Sequence, residues 1–60
     1  MKDKIRQYFK EHDLPKPGCI NHIGKWAHGE RYAVTCGLVK LKKYCVYCIG
    51  DEIHSVRFRG

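Results

Sequence analysis

The sequence lacks the long apolar segments that mark membrane-spanning or exported chains. No stretch approaches the roughly 18 apolar residues of a transmembrane helix, and the charged start MKDKIRQYFKEHD has no apolar run of a secretory signal. We therefore expect no membrane partner and a cytoplasmic, reducing compartment. Cysteines in such a compartment favour metal ligation over disulfides.

Groups typical of an active site are also missing. The chain shows no Ser/His/Asp set, no spaced carboxylate pair and no glycine-rich phosphate loop. Asp51 and Glu52 form a lone acidic pair, which is typical of a turn. The sequence therefore predicts that the protein is not an enzyme.

The chain is also too short to bury a large core. Its 60 residues make a single domain, 1–60, with one tryptophan and two phenylalanines. A chain of this length buries only about 60% of its unfolded surface, and small domains often add a metal or disulfides. The four cysteines offer either kind of support.

Two short motifs of matching form carry three of these cysteines. The segments CINHIG (19–24) and CVYCIG (45–50) share the pattern C-x-x-[CH]-I-G. Two tight turns of this form supply three sulfurs and one imidazole, a tetrahedral set that suits one Zn²⁺ ion. The predicted metal ligands are Cys19, His22, Cys45 and Cys48, with Cys36 or His28 as alternates to His22.

The remaining pattern predicts one helix and several strands. Residues 3–12 carry a narrow apolar stripe at helical spacing, formed by Ile5, Tyr8 and Phe9. This stripe either covers one face of a small sheet or binds a protein partner. Residues 13–18 form a proline-rich connector to the metal-binding region, 19–60. Alternation then predicts strands at 31–36, 38–44 and 53–59, with Leu41 opposite Val56.

The charge balance points to an anionic partner. Twelve lysines and arginines against six acidic residues give a formal net charge of +6. Such a balance favours nucleic acid, although it also fits a merely soluble domain. The residues predicted to bind nucleic acid are Lys40, Lys42, Arg57, Arg59 and Tyr47, with Lys43, Arg31 and Lys25 as further basic groups. Trp26 could stack on bases, but its size favours the core.

The paired motif resembles the zinc-ribbon family, in which two knuckles of C-x-x-C-x-G type close on one zinc. The resemblance covers residues 19–58 and implies an N-terminal helix followed by an antiparallel zinc-ribbon sheet, that is, a small zinc-stabilised α+β fold. The histidine at position 22 departs from the usual all-cysteine pattern. Tyr44-Cys45-x-x-Cys48 also resembles the closing half of treble-clef fingers, which implies a short C-terminal helix instead of the last strand.

The resemblance implies a role in nucleic-acid machinery. Zinc ribbons commonly bind nucleic acid or the protein subunits of machines that process it. We therefore expect a zinc-binding, nucleic-acid-binding or transcription-associated module. The alternative is a small protein-binding adaptor or inhibitor, such as a phage-type regulator of a host machine, that contacts its partner through Ile5, Tyr8 and Phe9.

Overall fold

A computed structural model describes all 60 residues as one helix followed by four strands. The elements are α1 (Lys2–Glu11), β1 (Pro17–Trp26), β2 (Gly29–Cys36), β3 (Lys42–Ile49) and β4 (Glu52–Phe58). The strands form one antiparallel sheet in the order β1-β2-β3-β4, so that each strand pairs with its neighbour in the chain. No helix combines the length and the apolar character that crossing a bilayer requires.

The helix lies close to its predicted place and packs on one face of the sheet. Ile5 and Phe9 are one helical turn apart, so both point to the same side, and both are 0% exposed. The Phe9 ring meets the Tyr44 ring edge-on, with centroids 5.3 Å apart. The helix ends before a connector in which Asp13 adopts a φ of 56° and the Leu14 amide donates to the Phe9 carbonyl.

The hydrophobic core lies between α1 and the sheet. We call this side of the sheet the covered face. Its buried members come from the helix and from three strands: Ile5, Phe9, Ile20, Val34, Cys36, Tyr44, Val46 and Cys48.

Burial of the helix stripe removes one predicted interaction surface. Since Ile5 and Phe9 are fully buried, the predicted partner surface formed by Ile5, Tyr8 and Phe9 is wrong. Tyr8 is partly buried against the core and stacks on His12, with centroids 4.0 Å apart. The helix therefore serves the core, which was the other reading of its stripe.

The last hairpin differs from the predicted one in its register. Val56 pairs with Val46, where the sequence predicted Leu41. The strand begins only at Lys42 and then continues through the cysteine motif to Ile49, while residues 37–41 form a loop. Tyr44, Val46 and Tyr47 are aromatic or β-branched, which favours an extended strand over a tight turn. The turn comes later, at Gly50 and Asp51, where Gly50 has a φ of 59°.

The predicted zinc-ribbon fold is wrong. No group of three or more His, Cys, Asp or Glu side chains is placed to hold a metal ion. The treble-clef alternative with a short C-terminal helix is also wrong, because Glu52–Phe58 is a strand. The fold is a small α+β domain in which one helix covers a four-stranded antiparallel meander.

Candidate nucleic-acid interface

Strand geometry separates the cysteines of each motif. Side chains alternate between the two faces of a strand, so residues three apart point to opposite sides. Cys48 belongs to the core on the covered face, whereas Cys45 is buried but lies outside that core cluster. The same spacing within β1 separates Cys19 from His22. A C-x-x-C pair shares a site only when the chain turns between its members, and here it does not.

The two motifs are also held apart by a strand. Because β2 lies between β1 and β3, their backbones are about 9–10 Å apart, twice the interstrand spacing. His22 Nε2 instead lies 2.8 Å from a carboxylate oxygen of Glu30. Cys19 is exposed, and its Sγ accepts a hydrogen bond of 3.3 Å from the Asn21 amide group. Zinc binding stays a prediction, but the four residues do not converge in this fold.

The alternate ligands are placed no better. Burial raises the pKa of the Cys36 thiol, and burial is also the largest cause of the raised pKa of Cys48. His28 lies edge-on to the Trp26 ring, with centroids 5.1 Å apart. Cys36 thus contributes to the core, and His28 to a ring cluster.

The other side of the sheet has no element packed on it, and we call it the open face. Its members follow from strand pairing, because directly paired residues share a face. One row across the sheet joins Arg31, Tyr47 and Ser55, and the next joins Ala33, Cys45 and Arg57. The open face comprises Cys19, Asn21, Trp26, Arg31, Ala33, Thr35, Lys43, Cys45, Tyr47, Ile49, Glu52, Ser55 and Arg57.

One end of the open face carries a cluster of aromatic rings. The Trp26 indole N–H donates to the Cys48 carbonyl at 2.9 Å, which fixes the ring over the sheet. The same carbonyl approaches Gly29 so closely that a Cβ there would collide with it, so this position requires glycine. Tyr47 lies edge-on to Trp26 at 5.2 Å, and His54 stacks on it at 5.4 Å with an interplanar angle of 25°.

The ring cluster borders a shallow depression. This surface depression has a volume of about 360 Å³ and is lined by Trp26, Tyr47, His54, Ser55 and Arg57. It therefore joins flat rings to a guanidinium group. That combination suits a planar ligand that carries negative charge.

The other end of the open face is basic. Arg59 follows β4, and its amide donates to the Lys43 carbonyl at 2.7 Å. Arg59 and Lys43 line a second depression, of about 340 Å³, together with Ala33 and Thr35. By pairing, the only acidic residue on this side is Glu52, at the far end of the last hairpin.

Arg31 adds a basic group beside the rings. It pairs directly with Tyr47 across β2 and β3, on the open face. Its Nε is buried and has no hydrogen-bond partner in the protein. Because Nε is enclosed by the protein, only the terminal nitrogens of the guanidinium could donate to an anionic ligand at this end of the face.

The structure divides the residues that the sequence predicted to bind nucleic acid. Arg57, Arg59 and Tyr47 share the open face. Lys42 pairs with Cys36 and belongs to the covered side, and Lys40 lies in the loop between β2 and β3. The prediction that these two lysines form one stripe with Arg57 and Arg59 is therefore wrong. The physical reason is the register of β3, which begins later than the alternation suggested.

Sequence reasoning missed two contributions to this face. Trp26 was expected in the core, but it is only partly buried and belongs to the open face. No sequence pattern assigned His54 a binding role. It reaches Trp26 because the pairing slips by one residue between Tyr47 and Cys48, and such a bulge re-aims a side chain. No sequence signal marks this bulge.

Comparison of the chain with protein-family models, curated proteins and solved structures gives no match. The functional argument therefore depends on the open face itself.

Proposed function

We propose that this protein is a nucleic-acid-binding module that holds a single strand on its open face. The observation that carries the proposal is the composition of that face. Trp26 and Tyr47 lie at one end, and Lys43 and Arg59 at the other, with Arg57 between them. An uncovered sheet face that combines rings with basic groups suits a ligand that has both bases and phosphates.

The basic groups supply the electrostatic part of binding. Phosphate oxygens accept hydrogen bonds from Lys and Arg, and the released counterions make the affinity strongly salt-dependent. Side chains on one face of a strand recur about every 6.6–6.8 Å, close to the phosphate spacing of an extended single strand. The three cross-strand rows that start at Arg31, Ala33 and Thr35 therefore match a ligand of about three nucleotides.

The aromatic groups explain the preference for a single strand. In a duplex the base faces are already stacked on one another, whereas an unpaired base has free faces. Stacking on an aromatic side chain contributes about 1–3 kcal/mol per base and depends little on sequence. Tyr47 and Trp26 are both only partly buried, and His54 is stacked on the Trp26 ring, so Tyr47 is the ring that we expect such a base to stack on.

A salt-dependent binding measurement tests the proposal. Fluorescence anisotropy with a labelled single-stranded oligonucleotide is recorded over a range of salt concentrations for the wild type and for the double variant Lys43→Ala/Arg57→Ala. We expect weaker binding by the variant and a log–log salt slope that is shallower by about 1.4, from two lost phosphate contacts.

The matched control removes the same charge elsewhere. Lys2 and Lys10 are exposed on α1 and outside the open face. The variant Lys2→Ala/Lys10→Ala should bind nearly as well as the wild type. If the two double variants lose affinity equally, binding follows net charge and not the open face. If the wild type does not bind at low salt, the proposal is wrong.

The alternative function, a protein-binding adaptor or inhibitor, has lost the surface that was predicted for it. Its contact residues Ile5 and Phe9 are buried.

A further inference from the structure

The loop between β2 and β3 carries the most exposed aliphatic residues of the protein. Leu38 is 99% exposed, Val39 95% and Leu41 56%. We call these three residues the apolar tip. Only nine of the 60 residues are buried, yet the protein leaves these three in solvent. Such a cluster marks an interaction site more often than an isolated apolar residue does.

The tip is held by a tight turn and surrounded by lysines. Gly37 has a φ of 92°, and a Cβ at this position would collide with the Lys40 carbonyl oxygen. The loop therefore folds back on itself and presents Leu38 and Val39 at its end. The basic neighbours Lys40, Lys42 and Lys43 are exposed, and the sequence has no acidic residue from position 31 to 50. The tip thus suits an apolar surface flanked by negative charge.

The tip also continues the open face. The loop closes the β2–β3 hairpin in the middle of the sheet, and Lys43 belongs to both the hairpin end and the open face. A single-stranded nucleic acid bound along β3, from Tyr47 past Lys43, would reach the tip next. The tip and the open face therefore form one continuous surface.

We propose that the apolar tip contacts the first base pair at a junction where the single strand enters a duplex. The inference depends on the proposed function of the open face. The terminal base pair of a duplex exposes a flat apolar surface, and aliphatic side chains are known to pack against or between base steps. The duplex brings phosphates of two strands to the junction, and Lys40 and Lys42 supply further positive groups there.

Three probes of related sequence test this assignment: a single strand, the same strand with a partial complement that leaves an overhang, and a blunt duplex. We expect the wild type to bind the overhang probe about tenfold more tightly than the single strand, in keeping with burial of one or two aliphatic side chains. The variant Leu38→Ser/Val39→Ser should lose this preference and keep its affinity for the single strand. Both positions are exposed, so the fold should tolerate the change.

A matched control replaces an exposed aliphatic residue away from the tip. Ile23 is 38% exposed and lies in β1, at the edge of the sheet. The variant Ile23→Ser should keep the preference for the overhang probe.

The possible outcomes separate the two proposals. Equal wild-type affinity for the single strand and the overhang probe overturns the role of the tip but leaves the open face intact. Equal weakening of both probes by the tip variant also overturns it, because the tip is then part of the single-strand site. If the wild type binds the blunt duplex most tightly of the three probes, the proposed contact at a junction is also wrong. Failure of the wild type to bind the single strand overturns the proposed function itself.

Discussion

The two faces of the sheet are built from the same strands but carry different chemistry. On the covered face Ile20, Val34 and Val46 are at most 5% exposed and pack under the helix. On the open face the same strands present Asn21, Ala33 and Tyr47, with no element above them. A period of two along each strand allows one face to stabilise the fold while the other remains free for a ligand. In a domain of this size, binding residues can therefore vary with little effect on the core.

The largest expected effect of a single change is on the covered face. Phe9→Ala removes a fully buried ring that meets Tyr44 at 5.3 Å. A Phe→Ala change in a core costs about 3–5 kcal/mol, which is comparable to the stability that a small single core supplies. We expect circular dichroism to show that this variant is largely unfolded. Arg57→Ala on the open face should change the free energy of unfolding by no more than about 0.5 kcal/mol. Similar losses in the two variants would contradict the division between the faces.

The cysteines give a second test of the same division. Cys48 is 0% exposed in the core, so Cys48→Ser places a hydroxyl there at a cost of about 1–3 kcal/mol. Cys19 is exposed, so Cys19→Ser should change the free energy of unfolding by less than about 0.5 kcal/mol. Urea denaturation measures both.

Metal removal separates this structure from the zinc-ribbon prediction. In a shared zinc site Cys19 and Cys48 would both be ligands, and their loss would be similarly severe. We expect the amide dispersion of the protein to survive prolonged chelation. Collapse of the spectrum on chelation, together with equal losses for the two serine variants, would contradict the fold described above.

The local patterns predicted more of this fold than the motif did. The apolar stripe of α1 and the alternation within β2 and β4 follow from helical and strand periodicity, and the structure has elements at Lys2–Glu11, Gly29–Cys36 and Glu52–Phe58. The repeated C-x-x-[CH]-I-G pattern suggested two turns, but both segments are extended. A three-residue spacing suits a metal-binding turn, but it is also compatible with a strand. The neighbouring aromatic and β-branched residues favour the strand.

The candidate site was only partly predictable. The basic and aromatic character of the last hairpin followed from composition, and Arg57, Arg59 and Tyr47 do share one face. Lys43 and not Lys42 lies on the open face because of the register of β3. A shift of one residue along a strand moves each side chain to the opposite face of the sheet. The bulge that brings His54 to Trp26 depends on tertiary packing, so no local pattern revealed it.

A smaller effect is expected from the ring on the open face. Tyr47→Ala should weaken binding of a single-stranded oligonucleotide by about 1–3 kcal/mol, the usual contribution of one stacked base. Tyr47→Phe should retain most of the affinity, because the ring remains. Anisotropy titration of the three proteins gives the comparison. If Tyr47→Phe binds as weakly as Tyr47→Ala, the hydroxyl and not the ring contacts the ligand.

The smallest predicted effect is a loss of stability at alkaline pH. Burial raises the pKa of the Cys36 thiol above its ordinary value of 9.0, so the folded protein keeps this proton at a pH where the unfolded chain has lost it. The corresponding stability is fully present below that value and is lost as the pH rises above it. Cys36→Ala should therefore lose less stability than the wild type between neutral pH and the alkaline range, whereas Cys19→Ala at an exposed position should follow the wild type. Urea denaturation as a function of pH measures this difference, and equal slopes for the three proteins would contradict it.

The most direct test of the central claim is an NMR titration of isotope-labelled protein with a short single-stranded oligonucleotide. The account predicts amide shift changes that concentrate at open-face positions such as Arg31, Cys45, Tyr47 and Arg57, while residues of α1 such as Ile5 remain unchanged. Shift changes that concentrate on α1 and the covered side, or an unchanged spectrum at low salt, would contradict it.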